Sequence, residues 1–212
     1  MKIIQASYEI LTPINRKEFL SSIERAGRVC YKSESAITED SASAFVRMLV
    51  KRGHHAMIEH APQISVKFIV DRGISHEIVR HRISSFAQES TRYVNYSKGK
   101  FGSEITVIKP LFWGEGTEQY KAWKNLCEEA EHVYLNLIAS GATPQEARSV
   151  LPNSLKTEII MTANVREWRH FFALRTANEA HPQMREVAIP LFNELCETLP
   201  ELFDDINVKK VV

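Results

Sequence analysis

The chain has 212 residues, of which 44% are hydrophobic and 25% charged, enough for one sizeable core in an ordinary folded domain. Its 27 basic and 26 acidic residues leave a net charge of +1, so no bulk field favours nucleic acid or an anionic membrane. No apolar run approaches the ~18 residues of a membrane span, and the start Met1-Lys2-Ile3-Ile4-Gln5 lacks the apolar stretch of a signal peptide. Cys30, Cys127 and Cys196 are scattered and odd in number, which suits buried thiols of a cytoplasmic protein better than a disulfide framework or a metal site.

Residues 2–10 read as a strand. Asn15 with Glu18 has the spacing of a capping box and opens a helix whose apolar face carries Phe19, Leu20, Ile23, Ala26 and Cys30. A second helix is predicted over about 39–52, with Ala44, Phe45, Met48 and Leu49 inward and Gly53 as its stop. Residues 54–61 read as a polar loop. From Gln63 to Val70 the sequence alternates, placing Ile64, Val66 and Phe68 on one face of a strand.

Helix is then predicted from about Ser75 to Arg82, followed by a Ser/Gln/Thr-rich loop. Ile105 to Ile108 suggests a strand, and Glu118 to Ser140 a long amphipathic helix closed by Gly141. Thr143-Pro144 reads as the cap and first residue of a short helix ending before Pro152, and Thr157 to Thr162 as a β-branched strand. Two helices complete the pattern, roughly 165–178 and 183–199, with Pro190 expected to kink the second. Without repeats, linkers or regular βαβ alternation, the expectation is one α+β domain over 1–212, with helices packed around a small, mainly antiparallel sheet.

The most informative stretch runs Arg80-His81-Arg82-Ile83-Ser84-Ser85-Phe86-Ala87-Gln88-Glu89-Ser90-Thr91-Arg92-Tyr93. On a helix, neighbouring side chains diverge by about 100°, so Arg80, His81 and Arg82 would face anions from several sides. The Ser/Gln/Ser/Thr segment adds short donors and backbone amides suited to a phosphate. A solvated basic turn would explain an isolated Arg-His-Arg. The longer pattern Arg-His-Arg-x2-Ser-x4-Ser-x-Arg, with six fixed residues at ~5% usage each, would arise by chance in about one chain per million of this length.

These residues resemble the signature of flavin-dependent thymidylate synthases. Three further segments resemble blocks of that family: His54-His55-Ala56-Met57-Ile58-Glu59-His60, Ala147-Arg148-Ser149-Val150-Leu151-Pro152, and Asn164-Val165-Arg166 with His170 and Leu174-Arg175. The resemblance implies that Glu77, Arg80, Gln88, Glu89, Ser90, Thr91, Arg92, Arg148 and Arg175 contact dUMP. It assigns Ala56, Arg80, His81, Arg82, Ile83, Gln88, Asn164, Arg166 and His170 to FAD, with His181 also near the flavin. His54 and Tyr93 would support the folate and nicotinamide pocket. The chain departs from the family pattern at Ala56, where a hydroxyl is usual, at Ala87, often Asn, and at Gln88, often Glu.

The resemblance further implies a homotetramer with shared sites, in which 5,10-methylenetetrahydrofolate gives the carbon and NADPH-reduced FAD the hydride. The protein's work is then positioning and electrostatics. A guanidinium at the N3/O2 edge of uracil favours the N3-deprotonated ring and pushes electron density towards C5. Arg175 is the candidate for that role. Ser90 would need a base to act as a nucleophile, and none is evident nearby in sequence, so it is assigned to binding.

Two other readings are weaker. His54, Glu59 and His60 invite a metal-hydrolase reading, but His-x4-Glu-His is not the His-Glu-x2-His of zinc hydrolases. A nucleic-acid module stacking bases on Phe86 and Tyr93 would be expected to carry more net charge. No Gly-x-Gly-x2-Gly follows the first strand, so any FAD site is not a Rossmann unit.

Overall fold

The computed structural model describes residues 1–97 and 102–208. The expected domain span of 1–212 also includes 98–101 and 209–212, which lie outside the described residues. The fold is α+β as expected: the described strands form a small four-stranded sheet in the order β2-β3-β6-β4 and a separate parallel pair, β1 with β5. These strands are β1 (Lys2–Ile4), β2 (Ser7–Ile10), β3 (Ile64–Asp71), β4 (Ser84–Gln88), β5 (Thr106–Ile108) and β6 (Lys156–Ala163). The expected single strand over 2–10 is thus two strands that belong to different sheets.

Local signals account for the helices. Helix α1 (Arg16–Tyr31) is capped by Asn15, whose Oδ1 accepts from the Glu18 amide at 3.2 Å, and it ends where Lys32 turns left-handed at φ 49°. Its buried face holds Phe19, Leu20, Ile23 and Gly27; Ala26 is half-buried and Cys30 exposed, so the apolar stripe is narrower than the sequence suggested. Helix α2 (Ser41–Lys51) buries Phe45, Val46, Leu49 and Val50, leaving Ala44 exposed and Met48 half-buried. Gly53 stops it with φ +72°.

The 54–61 segment is not all loop, because a single turn, α3 (His55–Ile58), anchors itself by the fully buried Ile58. Strand β3 buries Ile64, Val66 and Phe68 as its alternation requires. Helix α4 (Arg72–Ile78) starts earlier than expected, because Asp71 Oδ1 accepts from the Ile74 amide at 2.8 Å. It also ends earlier, so Arg80, His81 and Arg82 lie beyond the helix and do not diverge as a helical triplet. The polar stretch expected to loop contains β4, the last strand in the sheet order. An edge strand is held by backbone pairing on one side, so it lacks the apolar alternation that marks a buried one.

Downstream, α5 (Glu118–Ala139) is capped by Thr117 and followed by Gly141 at φ +98°. A capping box, with Glu146 Oε2 accepting from the Thr143 amide at 2.8 Å, starts α6 (Pro144–Ala147), and a 3-10 turn follows over Arg148–Val150. Three helices then follow β6: α7 (Val165–Arg175), α8 (Pro182–Thr198), which contains Pro190, and α9 (Pro200–Phe203).

The chain divides into two compact units, each assembled from separate stretches. One comprises 1–7, 68–80 and 87–160; its core gathers Ile105, Val107, Cys127, Tyr134, Ala147 and Leu155. The other comprises 8–67, 81–86 and 161–212. Its core is aromatic: Phe172 meets Phe192 at 5.4 Å and Phe203 at 5.7 Å between ring centroids, and Trp168 meets Phe171 at 5.3 Å. The Trp168 indole donates to the Ile64 carbonyl at 3.0 Å, which satisfies its buried N–H. Of the three cysteines only Cys127 is buried; Cys30 is exposed and Cys196 half-buried.

Candidate active site

In the first unit, the signature's second half is fastened to its own scaffold. The Gln88 amide donates to Ser75 Oγ at 2.8 Å and to Thr157 Oγ1 at 3.2 Å. Arg72 reaches the same hydroxyl at 3.2 Å and also donates to the Glu89 carbonyl. Lys156 lies between Glu89 at 3.1 Å and Glu158 at 2.6 Å. Burial works against its charge, but the bonds to Glu158 and Glu89 raise its pKa overall. Gln88 and Glu89 thus set the backbone path of the segment. Arg72, Ser75 and Thr157 were missed in the sequence because their roles depend on strands far apart in the chain.

Past Glu89 the chain turns. The Ser90 hydroxyl accepts from the Arg92 amide at 3.2 Å, and the Ser90 carbonyl takes the Tyr93 and Val94 amides. Among the described residues no basic side chain hydrogen-bonds the Ser90 hydroxyl. Thr91 is buried and accepts from Arg148 Nη1 at 3.4 Å, which ties the third block to the signature. Arg92 and Arg148 are exposed, and Tyr93 is 80% exposed with the Arg92 guanidinium 5.6 Å from its ring centre. Glu77 sits half-buried in the last turn of α4, and its carbonyl accepts from the exposed Arg80's amide.

In the second unit, His81 is the fixed point. Its ring is 3% exposed, 4.9 Å from Phe171 and 5.6 Å from His170 between ring centroids. Arg175 Nε donates to His81 Nε2 at 3.1 Å, and His81 Nδ1 lies 3.1 Å from Glu167 Oε1. Burial, with the charges of Arg175 and His170, pushes the imidazole pKa down to about 4, so the ring is neutral at physiological pH. Burial also raises the Glu167 carboxyl, an effect His170 partly opposes. Arg82 and Ile83 are exposed, Ile83 by 71%.

The second and fourth blocks also meet here, through an ion pair of 2.7 Å between Arg166 and Glu59. Asn164 caps α7 by accepting from the Glu167 amide at 2.9 Å. His54 Nδ1 pairs with the Tyr31 hydroxyl at 2.8 Å, and Ala56 is exposed on α3. His181 caps α8. Glu167 was missed in the sequence: three residues after Asn164 it looks like an ordinary first-turn acid, and nothing there links it to His81.

The arginines sort by their partners. Arg16, Arg28, Arg47, Arg166 and Arg169 are each paired with a carboxylate. Among the described residues, Arg25, Arg52, Arg72, Arg80, Arg82, Arg92, Arg148 and Arg185 form no ion pair with a carboxylate. Arg80, Arg82, Arg92 and Arg148 stand out among these because they lie in the signature and the third block, and such guanidinium groups fit phosphate-bearing ligands.

Residues 14–201 match the family model described as thymidylate synthase complementing protein. The chain is 33% identical over 203 residues to the flavin-dependent thymidylate synthase of Corynebacterium aurimucosum, covering 88% of this chain and 79% of that protein. It is 31% identical over 188 residues to that of Pyrococcus furiosus, covering 87% and 75%. The chain belongs to the flavin-dependent thymidylate synthase family. Members of this family are flavoenzymes. Among solved structures, a UMP/dUMP methylase, PolB from Streptomyces cacaoi bound with 5-Br dUMP, shares the fold with a TM-score of 0.77 over 96% of each chain at 23% identity.

Proposed function

We propose that the chain methylates dUMP to dTMP, with methylenetetrahydrofolate as carbon donor and NADPH-reduced FAD as hydride source. The observation that carries this reading is the family match over residues 14–201, within which Arg80, Arg82, Arg92 and Arg148 of the signature and third block have no carboxylate partner among the described residues. FAD carries two phosphates and dUMP one, so this donor set fits both ligands. Arg80, Arg82, Ile83, His81, Asn164, Arg166, His170 and the Ala56 backbone are assigned to FAD. When bound, the reduced flavin supplies the hydride that turns a one-carbon unit on uracil into a methyl group.

The chain's own residues do the rest. Arg92, Arg148 and the Ser90–Thr91 turn hold the nucleotide phosphate, while Glu77, Arg80, Gln88 and Glu89 are assigned to the remainder of dUMP. Arg175 is assigned to the N3/O2 edge of the ring, where a fixed cation lowers the pKa of N3 and raises electron density at C5. Ser90 binds and does not attack. His54 and Tyr93 are assigned to the folate and nicotinamide pocket.

Residues 1–212 act as one functional domain in this reading, supported by a family match that runs through both compact units without a break. Ile83 and Tyr93, large and exposed on a single chain, support a homotetramer whose sites take residues from more than one subunit. No helix among the described residues is long and apolar enough to cross a membrane, and free cysteines support a cytoplasmic setting.

The test is an absorption spectrum of the purified protein, then anaerobic addition of NADPH. Flavin bands that bleach, with dTMP appearing once dUMP and methylenetetrahydrofolate are added, are the expected result. Protein without flavin that takes up none from added FAD would overturn the assignment.

A further inference from the structure

The tautomer of His81 is set by its neighbours. An arginine Nε carries a hydrogen and no lone pair, so the 3.1 Å bond from Arg175 requires Nε2 of His81 to accept. The one proton of a neutral ring must then sit on Nδ1, 3.1 Å from Glu167 Oε1, which accepts it. A doubly protonated ring would set two N–H groups against each other at the Arg175 contact. Burial of both partners, 3% exposed for His81 and 6% for Glu167, keeps water from substituting for either bond.

We propose that Glu167 is a positioning residue for the reaction: it holds His81 in the Nδ1–H tautomer, and His81 through Nε2 fixes the guanidinium plane of Arg175. The inference rests on the ring-edge role proposed for Arg175. Rotation of that guanidinium about its Cδ–Nε bond breaks the contact with His81, so the relay sets the direction in which Arg175 donates. Phe171 and His170 pack the imidazole ring and resist its rotation. The depressed pKa of His81, which faces Arg175, His170 and Glu167, agrees with a ring that is neutral at physiological pH.

A cation site is the competing use of the same atoms, since His81, Glu167 and His170 each place one ligand atom within 4.8 Å of the others. Both nitrogens of His81 are already engaged, however, and a metal at Nε2 would have to replace a guanidinium that carries its own positive charge.

The experiment uses FAD-loaded enzyme and compares dUMP with N3-methyl-dUMP, which lacks the N3 proton and crowds that edge. Glu167→Leu is expected to lower kcat about 10- to 100-fold with KM for dUMP changed less than about threefold, the scale of losses when a supporting hydrogen-bond partner is removed. Glu167→Gln keeps an acceptor oxygen for Nδ1–H and is expected to stay within about fivefold of wild type. Rejection of N3-methyl-dUMP relative to dUMP should weaken about tenfold in both Glu167→Leu and Arg175→Ala, and the double variant should be no worse than Arg175→Ala alone.

Additive losses in kcat, with N3-methyl rejection abolished by Arg175→Ala but intact in Glu167→Leu, would overturn the relay while leaving Arg175 in place. Intact rejection in Arg175→Ala would instead remove the ring-edge role itself. A measurement independent of variants is nitrogen-15 NMR of histidine-labelled wild-type enzyme at neutral pH. His81 protonated at Nδ1 alone supports the relay; a proton at Nε2, or at both nitrogens, overturns it.

Discussion

Arg175 and Ser90 are the two residues whose roles turn most on chemistry. In its proposed ring-edge role, Arg175 needs both its charge and its Nε–H, which donates to His81. Lysine supplies the charge without the planar fork, so Arg175→Lys is expected to lose turnover at saturating dUMP almost as fully as Arg175→Ala, by about 10²-fold on the scale of a lost oriented donor. Wild-type turnover in either variant would remove the ring-activation role. For Ser90, whose hydroxyl bonds a backbone amide and no base among the described residues, Ser90→Ala should keep synthesis and raise KM for dUMP by about tenfold or less. Complete loss of turnover with unchanged nucleotide affinity would count against a binding role.

At this scale the sequence was informative about which residues matter and mute about how they are held. The signature motif pointed to His81, but the partners of its two ring nitrogens, Glu167 and Arg175, lie 86 and 94 positions away. The same holds for Gln88, whose amide is engaged by Ser75 and Thr157. Sequence spacing cannot report a bond between groups so far apart in the chain.

Among elements, those announced by local chemistry were legible. Asn15 and Thr143 cap helices where their side chains and spacing say they should, and Gly53 and Gly141 end helices with positive φ. Asn15→Ala should therefore cost about 1 kcal/mol of unfolding free energy, read from denaturant midpoints. Gly27 was not legible as a packing residue, although it marks where α1 rests on α2. A Cβ there would stand 2.7 Å from Phe45 Cε1 and 3.2 Å from Leu49 Cδ1. Despite the better helix propensity of alanine, Gly27→Ala should destabilise by about 1–3 kcal/mol, the usual cost of overpacking. A rise in the midpoint would show that the Phe45 ring gives way. Elements that lean on tertiary pairing were misread: β4 as loop, α3 as loop, and Arg80–Arg82 as helix.

For the whole molecule, the proposed homotetramer with shared sites makes a direct prediction. Arg175→Ala and Arg148→Ala chains, each poorly active alone at low dUMP, should regain activity when unfolded together and reassembled, because some sites then carry neither substitution. No recovery in verified mixed tetramers would argue that each chain completes its own site. Stability should also depend on pH through His81. Its folded pKa of about 4 lies below the ordinary 6.5, so between those values the unfolded chain binds a proton that the folded chain refuses. Stability is therefore full above 6.5 and falls as pH drops towards 4, by up to about 3 kcal/mol at ~1.36 kcal/mol per pKa unit. Urea midpoints at pH 7 and pH 4.5 should differ accordingly, and His81→Gln should remove that part of the difference.

The sequence by itself determined the family, the helix starts and stops, and the arginines and histidines available for chemistry. Those are properties of short contiguous segments, where capping bonds, apolar periods and a dense motif act over a few residues. Only the tertiary structure decided which arginines are neutralised by acids and which remain without counter-charge. It alone showed that a polar stretch becomes the last strand of a sheet, and that Glu167 stands behind His81. Each of these depends on side chains from distant segments meeting where water is excluded, and there a single well-placed hydrogen bond determines charge, tautomer and direction.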